Sequence, residues 1–251
     1  MFNVALYKRG MQGSWKMLVI FDPELGSALD ELAAAMPQLM AMVGMNPADT
    51  TLVGFMSAYL YGFIMLVFPM VFSILCANRL IAQQVDRGSM AYLLAAPVKR
   101  SSVAFTQMKV LAGGIFALVA YATVLGVVSC EAFFPGELEI GKFLLLNVGV
   151  LCLQLFIGGI CFFCSCVFSS TKYSVGFGAG VPALAFVIQM LANAGPALDG
   201  AKYATFFTLF DPNGVTAGEA GALWGMAVLF AGALLLFGGA IAVFSKKDLH
   251  I

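Results

Sequence analysis

The sequence predicts an all-α integral membrane protein, a polytopic helical bundle, on three observations. Of 251 residues, 61% are apolar and only 10% are charged, against roughly 45–50% and about 25% in soluble domains. Five stretches, 53–76, 110–128, 143–168, 175–192 and 222–244, carry no charged side chain, and each is close to the roughly 20 residues that cross about 30 Å of hydrocarbon. The charges between them also sort by side. One side collects eleven Lys and Arg with only Asp86 and Asp248, a net of +9; the other collects eleven Asp and Glu with only Lys142 and Lys202, a net of −9. The positive-inside rule makes the basic side cytoplasmic. The overall charge of zero removes any argument for a polybasic nucleic-acid binder.

Taken in order, residues 3–16 read as a basic interfacial helix with Lys8, Arg9 and Trp15 at headgroup level. No small-residue cleavage site follows the short apolar stretch 17–21, so no cleavable secretory signal is read there. Residues 22–49 read as an amphipathic outer segment, with Leu25, Leu29, Leu32, Met36, Leu39, Met40 and Val43 at helical spacing. Bases near both termini require an even number of crossings, and residues 17–21 make only about 7 Å of helix. Either the first segment lies flat on the outer surface, or about 15–25 apolar residues completing a span after Phe21 are missing before Asp22. The second is the expectation, with six spans in all, and an intact mass equal to 26.6 kDa overturns it. Residues 79–102 form a cytoplasmic loop. Residues 193–221 form a long outer loop, which Pro196, Pro212 and Gly214 break into pieces expected to dip back into the protein.

The spans hold few polar side chains. Asn147, Gln154 and Gln189 either join helices by hydrogen bonds or line a substrate path. Five of the six Cys lie in apolar runs, where they act as small hydrophobes, and Cys161, Cys164 and Cys166 lack His or carboxylate company for a metal. Gly136, Gly141 and Lys142 spell part of a phosphate loop, but Phe143 stands where the hydroxyl is required. His250 is a solitary tail residue. No nucleophile–base–acid set is present, so no enzyme activity is assigned to this chain. Gly221 and Gly225, with Gly176, Gly178 and Gly180, suit close helix approach within the bundle or between copies.

The most specific passage is Ile81-Ala82-Gln83-Gln84-Val85-Asp86-Arg87-Gly88-Ser89-Met90-Ala91-Tyr92-Leu93-Leu94-Ala95-Ala96-Pro97-Val98-Lys99-Arg100: a short polar helix, a Gly break, an apolar turn and a basic tail after Pro. It resembles the first cytoplasmic loop of ABC transporter permeases of the ABC-two (type-two exporter) family. The basic amphipathic N-terminus, the span pattern, the long last outer loop and the ending Phe244-Ser245-Lys246-Lys247-Asp248-Leu249 extend the resemblance over nearly the whole chain. Five visible spans instead of six, and Asp86-Arg87 where the family more often has a Glu nearer the Gly, are departures.

The resemblance implies a half-transporter in a bacterial inner membrane with both termini cytoplasmic. Two permease copies pair, and two separate ABC ATPase subunits carry the ATP and Mg, with no cofactor on this chain. Gln83, Gln84, Val85, Asp86, Arg87, Gly88 and Ser89 would contact the ATPase. The 23 Phe and 14 Met suit an apolar or amphipathic cargo such as a peptide, drug or lipid-like molecule. Exporters of antimicrobial or cytolytic peptides are the nearest in character. The rivals are a membrane scaffold that transports nothing and an ion-driven carrier. The carrier would need an ionisable residue that the apolar stretches do not supply.

Overall fold

In lipid a backbone must satisfy its own hydrogen bonds, so each long apolar stretch has one stable form, a helix. The computed structural model of the protein describes residues 60–88, 100–133, 135–136, 138–193, 200 and 202–247. These residues are helical with no strand among them, and five helices are long and apolar enough to cross a membrane. The spanning helices are α1 (Leu60–Asp86), α2 (Arg100–Phe133), α3 (Ile140–Val167), α4 (Thr171–Asn193) and, after the short α5 (Pro212–Ala217), α6 (Ala220–Lys246). The segments 3–16 and 22–49, the crossing expected after Phe21, Ser89 and His250 lie outside the described residues.

Helix α1 is irregular. A π-helical turn at Leu60–Ile64 opens it, α-helix follows over Met65–Ala77 with Pro69 inside, and a second π-helical turn occupies Asn78–Ala82. The polar turn Gln83–Asp86 is not a separate helix but the end of α1, which corrects the loop boundary at residue 79. The reason is local: no Gly or Pro stands between Cys76 and Gly88 to stop the helix. Gly88, at φ +71°, turns the chain out, and its N–H donates to Val85 O at 3.0 Å in the left-handed stop that glycine favours. Likewise α2 begins at Arg100, well before its apolar stretch.

Helix α3 is central. It packs against α1, α2, α4, α5 and α6 and buries Leu146, Leu153, Ile157 and Phe162 completely. The outer helices keep Phe68, Phe116, Leu184 and Leu235 exposed, the outward apolar faces of a lipid-immersed bundle. Helices α1 and α3 run in the same direction, since Tyr61 at the start of α1 meets Phe143 at the start of α3 with ring centroids 6.2 Å apart. The ends of α3 and α6 meet the start of α2, because Lys247 Nζ donates to Cys166 O and Val167 O and Arg100 Nη1 donates to Lys247 O. One end of the bundle therefore gathers Arg79, Arg87, Arg100, Lys172, Lys246 and Lys247 with Asp86. The other gathers Glu131, Glu139, Asp211 and Glu219 with Lys142 and Lys202.

After α4 the chain folds back onto the bundle, as the breakers in 193–221 suggested. A 3-10 turn at Phe206–Leu209 buries Phe207, and Phe210 and Val215 are buried beside it. Asp211 caps α5 by accepting from Asn213 N at 3.0 Å, with Pro212 in the first turn.

Candidate functional site

Helix α3 carries a polar stripe. Asn147, Gln154 and Cys161 recur every seven residues and Ser165 follows four later, which places all four on one face of a helix. All are buried, and the stripe faces α1 at its first half and α4 at its second. Near the acidic end, Asn147 Nδ2 donates to Tyr61 Oη at 2.6 Å and to Phe143 O at 2.8 Å. One step along, Gln154 Nε2 donates to Met65 O at 3.2 Å and Leu66 O at 2.9 Å. In an α-helix Met65 O would accept from the N–H of residue 69, but Pro69 has none. Gln154 supplies the missing donor from the neighbouring helix.

Towards the basic end the stripe turns to α4. Cys161 Sγ donates to Gly178 O at 3.1 Å, and the Ser165 and Ser174 hydroxyls lie 3.0 Å apart. Gly178 makes that approach close, since a Cβ there would touch Cys161 Cα at 3.5 Å. Gly225 does the same for the returning segment: a Cβ would strike the Leu209 carbonyl. Gly176, Gly180 and Gly221 have nothing within 4 Å of a Cβ, so the small residues singled out in the sequence divide between helix contacts and open faces.

Of the three polar span residues, the structure brings Asn147 and Gln154 together on the α1–α3 seam. Gln189 is elsewhere. Its Oε1 lies 2.5 Å from Thr205 Oγ1 and 3.0 Å from Thr208 Oγ1, and its Nε2 donates to Asn193, so it pins the returning segment to α4. Sequence reasoning missed Tyr61, Ser73 and Ser174, the partners and neighbours of the stripe. The seven-residue recurrence of Asn147, Gln154 and Cys161 was the signal that would have found the stripe.

At the basic end Gln83, Gln84 and Val85 are half-buried and Asp86, Arg87 and Gly88 are exposed. Lys247 closes this end of the bundle by capping the last carbonyls of α3, and burial lowers its pKa from the usual 10.5. Comparison with family models, curated proteins and solved structures finds no match to this chain.

Proposed function

We propose that this chain is the permease subunit of an ATP-driven exporter: two copies form the membrane path and two separate ATPase subunits, holding the ATP and Mg, dock beneath. The observation that carries this reading is the continuity of α1. It runs without a break from the carbonyls that Gln154 holds, at Met65 and Leu66, to the exposed pair Asp86–Arg87. That is about 30 Å of one helix. A force applied at Asp86–Arg87 by a moving partner is delivered directly to the buried seam with α3, without an intervening loop.

The basic end, taken as cytoplasmic by the positive-inside rule, is the face on which such a partner sits. Gln83–Asp86 offers it a short polar helical turn, and Gly88 lets the chain leave at once. A shift of α1 against the central helix α3 then alternates access for an apolar or amphipathic cargo, which the Phe-rich walls of the bundle suit.

Two measurements test this. The first is purification of the membrane complex in mild detergent, with intact mass of each subunit and an ATP hydrolysis assay. An ATPase in equal stoichiometry supports the permease; a chain that purifies alone, without hydrolysis, removes it in favour of a scaffold. The second is the double variant Asp86→Ala/Arg87→Ala. The pump loses substrate-stimulated hydrolysis while the chain still folds and inserts, whereas an ion-driven carrier keeps its transport.

A further inference from the structure

Two cations bound the hydrocarbon on neighbouring helices. Lys109 stands immediately before the charge-free run 110–128 of α2, and Arg79 stands three residues after the run 53–76 that enters α1. The two helices run in opposite directions and touch where a Cβ on Gly114 would lie 3.0 Å from the Phe72 ring. Counted from that contact towards the basic end, Arg79 is seven residues along α1 and Lys109 five along α2, about 10 Å and about 8 Å at helical rise. The pair is therefore level to within a turn, on helices whose packing sets axes about 8–10 Å apart. Both side chains are exposed. Neither forms an ion pair among the described residues, where the basic end holds one carboxylate, Asp86, two turns beyond Arg79.

An apolar stripe runs beneath each cation. Phe68, Phe72, Leu75 and Arg79 recur at spacings of four, three and four, one face of α1, and Phe68 and Leu75 are exposed. On α2 the face of Lys109 continues through Gly113 to exposed Phe116. Gly113 has nothing within 4 Å of a Cβ, so this stripe is notched one turn beneath the lysine. Lys109 itself reaches the other way, its Nζ lying 4.5 Å from the centroid of the Phe105 ring, one turn nearer the basic end. A long basic side chain at this depth carries its charge out to the level of the lipid phosphates. An anion that meets both charges has water on one side and only apolar surface on the other, which is the place of a lipid headgroup above its acyl chains.

We infer that the outer face of the α1–α2 seam binds an anionic phospholipid from the leaflet at the basic end, with its phosphate between Arg79 and Lys109 and an acyl chain along the notch at Gly113. Charge complementarity selects the lipid. Two cations with no carboxylate beside them favour a headgroup of net negative charge over a zwitterionic one, whose ammonium they repel. The bound lipid bridges two helices that the chain itself joins only through residues 87–99, and it does so close to the turn Gln83–Asp86. This site stands whether or not an ATPase docks at that turn.

The test uses the full chain, released from membranes in mild detergent, and native mass spectrometry with added dioleoyl phosphatidylglycerol or the zwitterionic dioleoyl phosphatidylcholine. The first phosphatidylglycerol is expected to bind about fivefold more tightly than the first phosphatidylcholine, or better. Arg79→Gln and Lys109→Gln should each remove most of that preference. Lys172→Gln, which takes an exposed cation from the start of α4, should leave it intact. Gly113→Leu fills the notch without touching a charge, and should weaken both lipids. Equal losses from all three charge variants would reduce the effect to the general pull of a basic surface and overturn the site. Inorganic phosphate that displaces the lipid at equal concentration would overturn it too, because the acyl chain would then contribute nothing. An Arg79→Gln/Lys109→Gln double variant that keeps its lipid preference but loses self-association would give this face to a second copy of the chain instead.

Discussion

Pro69 deprives Met65 of its helical donor, and the amide of Gln154 stands in for it. The pairing makes a prediction about two residues at once. Gln154→Leu should cost about 1 kcal/mol of stability, read from thermal or denaturant unfolding in detergent. In a Pro69→Ala background, where residue 69 regains its N–H, the same substitution should cost measurably less, and equal costs in both backgrounds would break the link. Gly225 offers a second test at this scale. Gly225→Ala drives a methyl into the Leu209 carbonyl, a backbone atom that cannot swing aside, and should cost about 1–3 kcal/mol. Gly176→Ala, on an open face, should be neutral or slightly stabilising, because alanine favours a helix.

Among the elements, the closure of α2, α3 and α6 at the basic end rests on Lys247 and Arg100. Since burial lowers the pKa of Lys247 from 10.5, the folded protein holds fewer protons than the unfolded chain over the interval just below that value. Stability contributed by this group therefore rises with pH across the interval. Lys247→Met should abolish that alkaline slope, and should also lower stability at neutral pH by leaving two carbonyls at the end of α3 without their donor. Melting curves of both proteins between pH 8 and about 10.5 check the sign. The ends of the spanning helices were the least legible feature of the sequence. Charge-free runs mark hydrocarbon, not hydrogen bonding, so α1 continued through Arg79 to Asp86 and α2 began at Arg100, where nothing in the composition breaks a helix.

For the molecule as a whole, the separation of basic and acidic ends fixes an expectation for its orientation in the cell. A membrane-impermeant maleimide should label Asp211→Cys on intact cells and Lys246→Cys only after permeabilisation. Equal labelling of the two would refute the assignment of sides. The helical bundle itself was legible because about 20 apolar residues in a row have a single answer in lipid. The site was legible in half. Asn147 and Gln154 stand out as polar residues in apolar runs, but what they bind is a hydroxyl and two backbone carbonyls on another helix. A backbone carbonyl has no letter in a sequence; only Pro69, read together with a glutamine on a different span, hints that one has been set free. Ser73 was missed because an isolated serine in a span is commonplace.

The contacts of α3 also imply an order of events during synthesis. The partners of Asn147 and Gln154 on α1 lie 86 to 89 residues earlier in the chain, so α1 has already entered the bilayer when α3 leaves the ribosome. Two amides that would be poorly solvated among lipid tails thus find waiting acceptors on arrival. A gene rearranged so that α3 is translated before α1 would present those amides to lipid with nothing to meet them, and nascent chains should then stall at the membrane or be degraded.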